Sequence, residues 1–96
     1  MQMINAILVH SADNCVTLSS SACAGGTVTF LDDGAAKAVT AREEVPIWHK
    51  MAVLEIKKGE DIYKYGAVIG KAAEDIDAGD HVHVHNMRSP GSVGLE

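Results

Sequence analysis

The sequence predicts a small all-β domain of short strands, with room for at most one short helix or helical turn, and three observations lead there. β-Branched and aliphatic residues come in short runs cut by Gly, Asp or Asn roughly every eight to twelve residues, the rhythm of strands joined by turns. An Asp-Gly step at Asp33-Gly34 tolerates the positive φ of a tight hairpin. A turn-forming unit also repeats: Glu55-Ile56-Lys57-Lys58-Gly59-Glu60-Asp61-Ile62 aligns with Asp75-Ile76-Asp77-Ala78-Gly79-Asp80-His81-Val82 at an offset of twenty residues.

Taken in order, the expected strands are residues 4–9, 15–18, 27–31, 36–41, 51–56, 67–73 and 81–85. The third and fourth form a hairpin across Asp33-Gly34. Glu43-Glu44-Val45-Pro46 breaks the pattern, because proline restricts both its own backbone and that of the residue before it, so a non-strand connection belongs there. Each repeated unit reads as a strand end, a turn closed by a glycine able to take φ > 0, and a new strand. Ser21-Ala22-Cys23-Ala24-Gly25-Gly26-Thr27-Val28 keeps the glycine and the aliphatic position of this unit but lacks its acids, and is a weaker third copy. The turn-edge carboxylates Glu55, Glu60, Asp75 and Asp80 are expected in solvent, fixing register.

Length and charge bound the function. A chain of 96 residues is enough for one domain, assigned to 1–90, with a tail over 91–96 whose Leu95-Glu96 end resembles a cloning remnant. A chain this short buries only roughly 60–65% of its unfolded surface, so it is not expected to enclose a large active-site cavity by itself. Eight Lys plus Arg face thirteen Asp plus Glu, and the basic residues form no stripe interleaved with aromatics. Nucleic acid and anionic membrane are therefore not expected partners. Nothing approaches the roughly 20 apolar residues of a membrane span, the start lacks a signal-peptide pattern, and a cytoplasmic location is expected. Cys15 and Cys23 fit neither a zinc ribbon nor a disulfide scaffold and read as two reduced thiols.

The chemistry-bearing residues are histidines. His81-Val82-His83-Val84-His85-Asn86 holds three of the five in the chain. In an extended strand these three share one face and the valines point to the core. Alternate histidines then lie roughly 6.6 Å apart at Cα and the outer two roughly 13 Å apart, so one ion can take two neighbours but hardly three. A further ligand would come from His49, Asp80 or a partner chain. A polar strand edge with no metal explains the same alternation. His49-Lys50 follows Pro46-Ile47-Trp48 in the irregular connection, where the lysine charge favours neutral imidazole; a surface loop with Trp48 packed on the domain is the plainer account. Lys64 and Lys71 flank Tyr65-Gly66 and suit an anionic ligand or simply water. No dinucleotide glycine motif, phosphate-binding loop or Ser/His/Asp grouping is present.

Together the stretch PIWHKMAVLEIKKGEDIYKYGAVIGKAAEDIDAGDHVHVHN, from Pro46 to Asn86, resembles the SAF domain of the altronate and galactarate dehydratase family, a β-clip fold. The matching residues are Pro46, His49-Lys50, Gly59-Glu60, Tyr65-Gly66, Ile69-Gly70, Gly79 and His83 to Asn86. Trp48 stands where the family usually has glycine. Family dehydratases carry this domain ahead of a much larger catalytic region, and stand-alone relatives resemble the small subunit of a split dehydratase or of sulfolactate sulfo-lyase.

The resemblance implies the small SAF-domain subunit of a sugar-acid dehydratase. Such a subunit works with a large catalytic subunit on a small anionic sugar acid, through metal-assisted loss of water. His49, His83 and His85 are the expected catalytic imidazoles, His83 and His85 the expected ligands of a divalent metal (iron or manganese, supplied with the large subunit), and Lys50 and Asn86 the expected substrate contacts. A sulfo-lyase small subunit, or a binding and assembly module without catalysis, are the alternatives. Self-association into a homo-oligomer is compatible with all three.

Overall fold

A computed structural model describes residues 4–83 and 85–88, and among these there is no helix. The described residues form three antiparallel sheets. Strands β1 (Ala6–Ile7), β2 (Cys15–Leu18), β5 (Lys50–Ala52) and β8 (His81–Val82) form a four-stranded sheet in the order β1-β2-β5-β8. β3 (Thr27–Asp32) and β4 (Ala35–Thr40) form a separate hairpin, and β6 (Asp61–Lys64), β7 (Ala67–Ala72) and β9 (Met87–Arg88) a third sheet. The all-β expectation holds, with no helical turn needed.

Both hairpins turn through two residues of positive φ, Asp33 (52°) with Gly34 (81°) and Tyr65 (58°) with Gly66 (75°), the requirement of the type I′ turn that matches strand twist. The first was legible as Asp-Gly. The second places a tyrosine in the left-handed region, and the buried Asp13 carboxylate steadies it by accepting the N–H groups of Tyr65 and Gly66 at 2.9 and 2.8 Å.

The repeated unit is real and occurs four times among the described residues. Residues 23–26, 46–49, 57–60 and 77–80 each close a turn in which the fourth N–H donates to the first carbonyl, at 2.9, 3.1, 2.9 and 3.0 Å. The third residue has positive φ in each: Gly25 (85°), Trp48 (68°), Gly59 (88°) and Gly79 (97°), the pattern of a type II turn. Every turn is clasped by one other residue, respectively Ala41, Leu18, Ala72 and Ala52. The clasping residue accepts from the third N–H and donates to the fourth carbonyl. The aliphatic residues before the turns pair as bridges, Ala22 with Val45 and Ile56 with Ile76.

These aliphatic residues anchor two cores. One gathers Leu18, Val28, Phe30, Val45 and Met51, the other Ile56, Ile62, Ile76 and Val82 around Cys15. Each large side chain buried there contributes about 1.5–3 kcal/mol. Cys15 is buried and Cys23 exposed, both unpaired. Burial pushes the Cys15 thiol up to about 11, against the pull of the Lys64 and Lys50 charges.

Several strand limits differ from expectation. Residues 4–9 contract to Ala6–Ile7, and 51–56 to Lys50–Ala52. The strand Asp61–Lys64 escaped notice because its charged ends mask Ile62, and Met87–Arg88 because it is two residues long. The strand expected over 81–85 stops at Val82, where pairing with β5 ends. Val84, expected to face the core, and the 91–96 tail lie outside the described residues.

Candidate functional site

The shortened β8 changes the histidine geometry. Because the chain leaves the strand after Val82 and turns through His85 and Asn86, the side chains do not stand along one extended face. The His81 and His85 ring centres are 5.5 Å apart, where an extended strand would put their Cα atoms roughly 13 Å apart.

His49 arrives from the second turn. β5 begins one residue later and pairs with β8, Lys50 opposite Val82 and Met51 opposite His81, so the turn delivers its imidazole onto the end of β8. His49 Nδ1 lies 2.9 Å from His81 Nε2, and the His49 ring is 5.0 Å from His81 and 4.7 Å from His83 between centres. His81 and His83 are stacked at 5.5 Å. One nitrogen from each of His49, His81 and His83 falls in a group spanning no more than 4.8 Å.

The electrostatics shift two of these rings toward the neutral form. Burial first, then the charges of His49, His85 and His83, lower the proton affinity of His81 below the ordinary 6.5, with Glu43 opposing. Partial burial, then His49, Lys50 and His85, lower that of His83. Neutral imidazole is the form that binds metal. Nitrogen ligands about 2.1 Å from one ion lie roughly 3 to 3.5 Å from each other, so small ring rotations bring this trio to a shared ion. The residues fit a divalent metal of the nitrogen-preferring kind.

The other expected site residues are placed as follows. His85 is exposed and touches the trio through His81. Lys50 is half-buried, with its charge felt at His83. Asn86 is buried, its carboxamide bonded to the backbone of His81 and His83. Trp48, rather than packing on the domain, is 64% exposed. His81, not among the expected site residues, contacts His49, His83 and His85; the signal for it is the turn unit itself, since His81 directly follows the fourth turn as Lys50 follows the second. Lys71 is tied to Asp61 at 2.6 Å, and Lys64 is buried with Nζ 3.9 Å from the Tyr65 ring centre. Two clefts of about 390 and 400 Å³ lie elsewhere among the described residues and contain no histidine.

Residues 4–90 match the family model described as the altronate/galactarate dehydratase SAF domain. The chain belongs to this SAF-domain family. It is 42% identical to altronate dehydratase of Escherichia coli (strain K12) over 83 residues, which is 86% of this chain but 16% of that enzyme. It is 31% identical to (2R)-sulfolactate sulfo-lyase subunit alpha of Chromohalobacter salexigens over 86 residues, 85% of this chain and 92% of that subunit. A second subunit alpha, from Paracoccus pantotrophus, is 41% identical over 51 residues, 53% of this chain and 76% of that subunit. The SAF domain thus spans about a sixth of the dehydratase and most of the sulfo-lyase subunit. No helix among the described residues is long and apolar enough to cross a membrane.

Proposed function

We propose that this SAF domain is the small component of a cytoplasmic sugar-acid dehydratase of the altronate/galactarate type, supplying one wall of a metal-assisted elimination site that a larger chain completes. The observation that carries this reading is the convergence of His49, His81 and His83 nitrogens within 4.8 Å, in a domain 42% identical to part of an altronate dehydratase. The three histidines are half-buried.

Loss of water from the carbon β to a carboxylate needs a base for the α-proton, stabilisation of the enediolate and a proton for the departing hydroxide. A divalent ion held by His49, His81 and His83, for which iron suits imidazole better than manganese, would supply Lewis acidity toward carboxylate and hydroxyl oxygens. His85, exposed beside His81, is the imidazole left to move a proton. Lys50 offers its ammonium to the substrate carboxylate. On this reading the metal ligands are His49, His81 and His83 in place of the expected pair His83 and His85, and His85 keeps only its expected catalytic role.

A second reading, the sulfo-lyase subunit alpha, draws on the 92% coverage of that relative. The same elimination would then expel sulfite in place of hydroxide.

Titration of the metal-free protein with cobalt(II) tests the half-site directly. One ion should bind with a visible spectrum, and His49→Ala or His81→Ala should weaken binding on the order of 100-fold or more, beyond what loss of a mere supporting residue costs. Wild-type affinity in both variants would remove the site. With its larger chain, the assembly should turn over altronate or galactarate; sulfite release from sulfolactate would select the second reading, and full activity of the larger chain alone would leave only an assembly role.

A further inference from the structure

Asn86 is 5% exposed, and both ends of its carboxamide point back at the histidine segment. Its Oδ1 accepts the backbone N–H of His83 at 2.9 Å, and its Nδ2 donates to the carbonyl oxygen of His81 at 2.8 Å. These partners fix the orientation of the group, because an amide hydrogen needs an oxygen and a carbonyl needs a donor. The backbone adds two bonds: Asn86 N–H donates to the His83 carbonyl at 3.0 Å, and its own carbonyl accepts from Ala73 at 2.8 Å, just past the end of β7.

This clamp lies where the ladder runs out. His81 faces Met51 and Val82 faces Lys50, and the pairing of β8 with β5 goes no further. His83 therefore emerges beyond the last paired residue, where a backbone is normally least constrained. A ligand set needs its side chains held to within about 0.5 Å of the productive geometry. One planar carboxamide spanning the His81 carbonyl and the His83 amide holds both residues at a fixed separation, and the tie to Ala73 roots it in the neighbouring sheet.

The geometry points to Asn86 as the positioning residue that sets His81 and His83 against His49, in place of a substrate contact. This rests on the metal reading above and deepens it. Elsewhere in the chain Asn14 does the same backbone work without histidines: its Oδ1 accepts from Tyr63 N–H at 2.9 Å and its Nδ2 donates to the Asp61 carbonyl at 3.0 Å. It is a matched control.

The test measures cobalt(II) affinity and visible spectrum, with thermal unfolding of the metal-free protein alongside, for wild type, Asn86→Asp, Asn86→Ala and Asn14→Asp. Asn86→Asp keeps an acceptor for His83 but loses the donor to His81, and stays close in shape should the alanine variant fail to fold. Asn86→Asp is expected to lose about 10-fold to 100-fold in affinity, the range for residues that orient ligands, with an altered spectrum. Asn14→Asp is expected to lower the unfolding temperature with cobalt affinity unchanged. Unchanged affinity in Asn86→Asp, or an equal loss in Asn14→Asp, overturns the positioning role while the metal reading stands. A wild-type protein that leaves cobalt unbound overturns both.

Discussion

The turns at Lys57–Glu60 and Pro46–His49 share one backbone and divide its uses. In the first, glycine occupies the left-handed position and the fourth residue, Glu60, reaches back so that its Oε1 accepts the Lys57 N–H at 2.7 Å. The fourth copy does likewise, Asp80 accepting the Asp77 N–H at 2.8 Å. In the Pro46 copy the first residue has no N–H to satisfy, so the fourth position needs no carboxylate and holds His49, whose ring is left for the histidine cluster. The same copy replaces glycine by Trp48, a residue in the left-handed region that costs about 1–2 kcal/mol relative to glycine. Two copies, those ending at Glu60 and Asp80, spend a side chain on holding the turn; the Pro46 copy does without that support and presents an imidazole and an exposed indole. Of the four copies, this one alone places a non-glycine residue in the left-handed region, the kind of strain that points to a candidate site.

The sharpest separation among the copies is steric. A Cβ at Gly79 would collide with the Thr40 carbonyl oxygen and come within 3.0 Å of Arg42 Cγ, whereas one at Gly59 would meet nothing within 4 Å. Both residues have positive φ, so alanine strains both backbones. Gly79→Ala adds a collision with main chain beside the Arg42–Asp77 ion pair. We expect it to cost roughly 3 kcal/mol, strain and overpacking together, and to lower the unfolding temperature by on the order of 15 °C. Gly59→Ala should cost about 1 kcal/mol. Equal losses by thermal unfolding would mean that the close approach of the fourth turn to β4 carries no energetic weight.

Much of this comparison was readable in advance, and the limits have physical reasons. The Gly59 and Gly79 turns announced themselves because glycine and acid recur at fixed spacing, and the Asp33-Gly34 hairpin because its backbone demands those residue types. The Pro46 turn was hidden by its two departures from the repeat: Pro46 removes the need for the acid, and Trp48 erases the glycine. His49 and His83 were legible as candidates from their types and surroundings, and both fall in the histidine cluster. His81 was not, since its place depends on β8 ending at Val82, and that end is set by long-range pairing with β5 and by the Asn86 clamp. A two-residue spacing read as extended strand gives the wrong inter-ring distances once the chain bends.

Trp48 gives a smaller test of the same contrast. Trp48→Ala and Trp48→Gly both remove the indole, so the difference between them reports the backbone alone. If the second turn shares the left-handed requirement of the others, the glycine variant should be the more stable by about 1 kcal/mol in denaturant unfolding, the reverse of the order at extended or helical positions, where glycine is the weaker residue. Alanine matching or exceeding glycine would separate this turn from its three counterparts. The indole is 64% exposed, so neither variant should approach the roughly 3–5 kcal/mol that deleting a core tryptophan costs.

The smallest effect comes from titration, and it again divides the histidine-bearing end of the molecule from the rest. His81 and His83 both hold protons less tightly in the fold than the ordinary 6.5, through burial and the neighbouring charges of His49, His85 and Lys50, with Glu43 pulling the other way at His81. As pH falls below 6.5 the unfolded chain takes up these protons first, so the folded state loses stability through the window beneath 6.5 and is unaffected by these groups above it. The metal-free protein should therefore unfold at progressively lower denaturant between pH 7 and 5.5, and the doubly substituted His81→Gln/His83→Gln protein should show a flatter dependence over that interval. Carboxylates titrate mainly below this range, which leaves the histidines as the groups that decide the slope. An identical slope in both proteins would mean that the clustering of imidazoles exacts no cost in the empty site, and that the contrast between the strained, charge-crowded end and the self-supporting turns is one of backbone alone.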